Sequence, residues 1–173
     1  MPDYKLAYQL LKQSGWTPEH RIDLEKTYPD LFRETFRVKR NRILAKKFKN
    51  IQSELEKYCG INIDINTYYG DLSFYLPHSL SFYSSQSNYY ALRDFLQEDI
   101  ICIGQSVEEP IYMNMHGEIY QVISYEPQLY VMDNILHAIE CNYSQTVEEC
   151  RTIDIEPFMV SAGIPINRSS SAT

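Results

Sequence analysis

An α+β domain is the fold class this sequence predicts, and three observations carry it. Leu44, Phe48, Ile51, Leu55 and Tyr58 recur at steps of four and three, the spacing of one face of a helix. Ile61, Ile63 and Ile65 alternate with Asn62, Asp64 and Asn66, the period of a half-buried strand. The stretch IICIGQSVEEPIYMNMHGEIYQVISY, residues 100–125, reads as a strand, an acidic loop and a hairpin. Ile100 to Ile103 is the continuous apolar run of a strand buried on both faces, and Gly104 is expected to end it. Ile111, Met113 and Met115, and then Ile119, Gln121 and Ile123, alternate on either side of His116-Gly117. A two-residue turn is expected there, with positive φ at Gly117.

The remaining elements follow in order. Leu6, Ala7, Leu10 and Leu11 predict a short amphipathic helix over about residues 3–13, with Gly15 as its C-terminal cap. Two starts compete for the next helix, Thr17-Pro18 and Asp23, and Pro29 implies a break near Tyr28. The long helix covers about Arg40 to Tyr58 and is capped by Gly60. Leu72 to Leu76 reads as a short strand stopped by Pro77, and Ser79 to Ser87 as an edge strand or loop. Tyr89, Leu92, Phe95 and Leu96 predict a helix from Asn88 to Gln97. Met132, Ile135, Leu136, Ile139 and Tyr143 predict a last amphipathic helix from about Leu129 to Tyr143. Residues 148–157 add at most a short element, so the domain is expected to span 1–158. Residues 159–173 are expected to form a tail, disordered at its polar NRSSSAT end.

At 173 residues the chain is long enough to bury a core without disulfides or metal. It has no apolar run long enough for a signal peptide or a membrane span, so a cytoplasmic location is expected. Cys59, Cys102, Cys141 and Cys150 form no CxxC pair and match no zinc spacing, and they read as free, mostly buried thiols. The net charge of −7 hides an asymmetry. Residues 1–57 carry a balance of +5, and residues 58–173 carry −12. An acidic surface steers a basic partner inward and repels nucleic acid.

Enzyme signatures are missing. His20, His78, His116 and His137 have no HExxH or paired-ligand spacing, and there is no GxSxG, phosphate loop or dinucleotide fingerprint. The basic run from Arg33 to Lys49 reads as a solvated helix face. A nucleic-acid binder would rarely hold −12 on its other two-thirds. The acidic pairs Glu98-Asp99 and Glu108-Glu109 flank the central strand and form the candidate contact surface for a cationic partner. Tyr68-Tyr69 and Tyr89-Tyr90 could anchor an interface or pack in the core.

Three segments resemble a known family. LLKQSGWTPEHRIDL, residues 10–24, resembles the "GW-x-P-x-R-x-x-D" opening of the third subgroup of SUKH immunity proteins. ELEKYCGINIDI, residues 54–65, resembles the group's long helix running into a strand, with one glycine where relatives often have two. IICIG, IYMNMHGEIYQV and a following helix resemble its ending. The resemblance implies a single α+β domain, a mixed or mainly antiparallel sheet of about five or six strands wrapped by helices. It implies a fold role for Gly15, Trp16, Gly60, Gly104, Gly117 and Tyr120, with Trp16 packed under the sheet. It also implies a non-enzymatic, cytoplasmic immunity protein that occludes a cognate bacterial toxin domain, of nuclease or deaminase type and basic in charge. The expected contacts are Glu98, Asp99, Glu108 and Glu109, with no cofactor, metal, nucleic acid or membrane involved. A regulatory scaffold of the same superfamily is the alternative.

Overall fold

A computed structural model describes residues 3–29, 42–63, 72–74, 87–106, 109–123 and 126–166. The helices are α1 (Lys5–Gln13), α2 (Leu24–Thr27), α3 (Arg42–Tyr58), α4 (Ser87–Leu96), α5 (Ile135–Ser144) and α6 (Glu156–Ala162). The strands are β1 (Asn62–Ile63), β2 (Leu72–Ser73), β3 (Ile100–Ser106), β4 (Glu109–Asn114), β5 (Ile119–Val122), β6 (Gln128–Met132) and β7 (Arg151–Asp154). Together the seven strands form one sheet in sequential order, and every neighbouring pair is antiparallel. The class is therefore the α+β expected, with a strand or two more than expected and no parallel pair among the described residues.

Side-chain alternation divides the core in two. Ile101, Ile103, Ile111, Met113, Ile119, Tyr130 and Met132 join a cluster with residues of α1, α2, α3 and α5. Ile100, Cys102, Tyr112, Tyr120, Leu129 and Val131 join another with Tyr89 and Leu92 of α4 and Phe158 and Met159 of α6. Helices thus cover both faces of the sheet. That is why β3 reads as an unbroken apolar run, where a half-exposed strand would alternate.

The caps follow from the residues at each end. Gly15, at φ +86°, lets Trp16 N–H reach Leu11 O and its own N–H reach Lys12 O, a Schellman closure of α1. Asp23 wins over Thr17-Pro18 as a helix start, because its Oδ1 accepts from Lys26 N–H at 2.9 Å. Trp16 sits in the helical layer: it stacks on Tyr58, tilts against Tyr8, and donates from Nε1 to Lys57 O at 2.8 Å. It fastens α1 to the end of α3, within the buried cluster that also holds Ile101, Ile103 and Ile111 of the sheet.

Four expectations are corrected. Gly104 does not end β3, which runs on to Ser106. It lies beside a bulge after Cys102, where a Cβ would stand 2.1 Å from Ser73 O. The glycine is required by the close approach of β2. The β4–β5 turn has three residues, not two. Gly117 N–H donates to Asn114 O, Asn114 N–H to Glu118 O, and only Gly117 of the loop has positive φ, at +94°. This is a first turn followed by a left-handed glycine, the usual three-residue solution.

The third correction concerns residues 129–134. Gln128–Met132 is strand β6, and α5 starts at Ile135 behind the cap Asn134, whose Oδ1 accepts from His137 N–H. The apolar LYVM run after Pro127 is a strand in a two-sided core, and the Asp133-Asn134 break was the missed signal. The fourth is the domain's end. Helix α6 spans residue 158, and Phe158 and Met159 are buried, so the packed domain continues past the expected boundary. The expected disorder of residues 167–173 lies outside the described residues, as do the Tyr68-Tyr69 pair and most of the basic run.

Replacing Gly104 by Ala should cost about 3 kcal/mol, because the clash is with backbone. Gly117→Ala meets no atom within 4 Å and should cost about 1 kcal/mol, for its left-handed φ alone. Urea unfolding of the two variants checks the order. Equal losses would contradict the close-approach explanation.

Candidate functional site

Glu98 and Asp99 follow α4, where Gln97 turns the chain at φ 55°. Asp99 takes an ion pair from Lys47 at 2.5 Å and another from Arg93 at 3.2 Å, and its side chain is 16 % exposed. Glu98 accepts from Tyr120 Oη and, at 3.3 Å, from Asn114 Nδ2. These two carboxylates line a cleft of ≈ 480 Å³ together with Lys47, Arg93, Asn114 and His116.

Asn114 is the hub of this corner. It is 1 % exposed, and its Oδ1 accepts from the N–H groups of His116 and Glu118. Its Nδ2 donates to Glu118 at 2.8 Å and to Tyr120 Oη at 3.2 Å. Glu118 in turn is bridged by Arg151 at 2.8 Å. Burial, and then Glu98, hold the Tyr120 phenol far above its ordinary range. It therefore stays a donor and fixes Glu98 in place. The arrangement locks the hairpin turn to the end of α4.

Glu109 stands at the opposite end of β4, where it pairs with Ser106, while Asn114 pairs with Ile100. Five strand steps separate the ends, about 17 Å. Glu98-Asp99 and Glu109 therefore do not share one patch, and Glu108 lies outside the described residues. Glu109 borders an apolar cleft of ≈ 180 Å³ with Tyr89, Pro110, Phe158 and Met159. Tyr89 is 1 % exposed and donates to Ile100 O at 2.7 Å, so it belongs to the core.

Two surfaces of opposite sign emerge that local sequence did not single out. Exposed Asp133, Glu148, Glu149 and Asp154 surround β7, the outer strand of the sheet, whose Arg151 and Thr152 are also exposed. From residue 94 to 166 the only Lys or Arg is Arg151, and it is tied to Glu118. On the helical side a groove of ≈ 850 Å³ runs between α1 and the end of α3, lined by Lys5, Lys12, Arg21 and Lys57 with Tyr8, Trp16 and Tyr58. The charge imbalance between the halves was readable. Where each half gathers its charge needed the fold.

Comparison with family models, with curated proteins and with solved structures finds no match for this chain.

Tyr120→Phe should cost about 1–3 kcal/mol in urea, since it removes a buried donor from Glu98. Tyr58, Tyr89 and Tyr120 are all raised above the ordinary phenol range, chiefly by burial. The unfolded chain then releases protons that the folded chain keeps, so stability falls as pH rises past about 10. The Tyr120→Phe substitution should make that alkaline decline shallower. An unchanged slope would remove Tyr120 from the linkage.

Proposed function

We propose that this protein is a non-catalytic binding domain of SUKH-like type that neutralises a basic, nucleic-acid-processing toxin domain by covering it. The observation that carries the reading is the acidic edge around β7, exposed on the outer strand of an otherwise helix-covered sheet. Such a surface accelerates the approach of a cationic partner through long-range steering, and no shifted pKa is needed. Exposed main chain on an outer strand adds a second means of contact. Support also comes from the Gly15-Trp16 segment, whose closing turn and indole bond build the α1–α3 corner that the resemblance rests on.

The interface on this reading is not the set first expected. Asp99 is neutralised by Lys47 and Arg93, and Glu98 is held by Tyr120 and Asn114. Both serve the protein's own packing, and the β7 edge takes the partner. A second reading, a regulatory scaffold of the same superfamily, is favoured by the basic aromatic groove. A domain with two faces of opposite sign can bridge two partners.

The test is co-purification with the toxin domain encoded beside this gene, with rescue of cells that express it. Binding and protection support neutralisation. Binding without protection favours the scaffold, and the absence of both binding and protection removes the immunity reading for that pair. Glu148→Lys with Glu149→Lys should slow association about tenfold and flatten its salt dependence. Stopped-flow rates that are unchanged at low salt would exclude the edge.

A further inference from the structure

The helix facing α1 and the turn beyond it bring together three side chains of metal-ligand type that are far apart by local motif. His137 and Cys141 lie one turn apart on α5, on the same face. The turn Val147–Glu149 then returns the chain so that Cys150 Sγ stands 3.4 Å from Cys141 Sγ. A ring nitrogen of His137 and both sulfurs all lie within 4.8 Å of one another. Asp133 Oδ2 is 3.5 Å from His137 Nδ1. We propose that His137, Cys141 and Cys150 form a site for a divalent transition metal of the zinc type, with Asp133 beside the imidazole.

Donor chemistry and spacing both select such an ion. Two thiolates and an imidazole are a borderline-soft set that suits Zn²⁺ and excludes Mg²⁺ and Ca²⁺. Sulfurs bound to one tetrahedral zinc, each at about 2.3 Å, stand about 3.8 Å apart. The observed 3.4 Å is close to that and far from the ~2.0 Å of a disulfide. The surroundings are anionic as well. Asp133 and Glu149 stand near the Cys150 thiol, and Glu140 and Glu149 near the Cys141 thiol. Those carboxylates oppose a bare thiolate but favour a dication. Glu140 also accepts from Ala7 N–H at 2.8 Å, and His137 stacks on Tyr4, so α1 backs the site.

Binding would release the two thiol protons to solvent as two sulfur–metal bonds form, with no change in oxidation state. The metal would pin β7 and the acidic turn before it to α5, which orders the edge described above without depending on what binds there. Local spacing does not reveal this set because the third ligand comes from the next element, nine residues beyond Cys141.

The test uses the full chain, reduced and stripped of metal, with Co²⁺ as the probe. One equivalent should produce thiolate-to-cobalt absorption and tetrahedral visible bands, and Zn²⁺ should displace them. Zn²⁺ at a hundredfold excess over its Kd should raise Tm by about 5–10 °C. Cys150→Ser, at a half-buried position, should fold and lose most of the thiolate absorption, and Asp133→Asn should weaken affinity about tenfold. Cys59→Ala, outside the set, should keep the full spectrum. Absent bands, bands that survive Cys150→Ser, or Cys141 and Cys150 closing to a disulfide while metal is offered would each overturn the site.

Discussion

A sheet covered on both faces is the constraint from which the rest of the structure follows. Neither face of β3 to β6 can spend residues on water, so their apolar side chains appear at both parities. The polar residues left inside must then satisfy one another. Gln121 and Asn142 do so across the sheet–α5 boundary, with bonds of 3.0 and 2.9 Å in both directions. Asn114 does so at the hairpin, where one buried amide holds the turn, Tyr120, Glu98 and Glu118. Leaving any of these unpaired would cost far more than each bond contributes. The same demand explains Gly104. A flank of the sheet can join β3 only if Ser73 O comes in where a side chain would otherwise be.

This interior leaves the exposed charge at the margins. Carboxylates near the core are drawn into bonds with the protein's own donors, as Glu98 and Asp99 show. Carboxylates around the last strand lie in a stretch whose one arginine is turned to Glu118, and they accumulate as one field. The cations line the groove between α1 and the end of α3 with Tyr8 and Trp16. A domain so polarised orients an approaching charged partner before contact, and steering of that kind weakens with salt.

Periodic elements were legible from residues alone. The stripe from Phe48 to Tyr58, the Ile61–Ile63 alternation and the caps at Gly15 and Gly60 are local physics, and the structure places each where the pattern puts it. Lys46, Lys47 and Lys49 on the long helix are exposed, as a solvated face requires, although Lys47 reaches Asp99. What local pattern missed was set by tertiary context. LYVM has no period that separates a buried strand from a helix, and residues 151–154 alternate too weakly to show a strand without β6 to pair with. The intramolecular partners of Glu98 and Asp99 were hidden for the same reason. Whether an acid faces a partner or an arginine depends on which strand end lies beside it, and Arg93 reaches Asp99 only after α4 has packed.

The central claim is that the acidic β7 edge is the partner-binding surface. Amide hydrogen exchange on the protein alone and bound to the toxin domain tests it most directly. The account predicts that protection on binding concentrates in residues 147–154, with little change along α1 and the end of α3. Protection confined to the Tyr8–Trp16–Lys57 groove, with β7 exchanging as in the free protein, would contradict it.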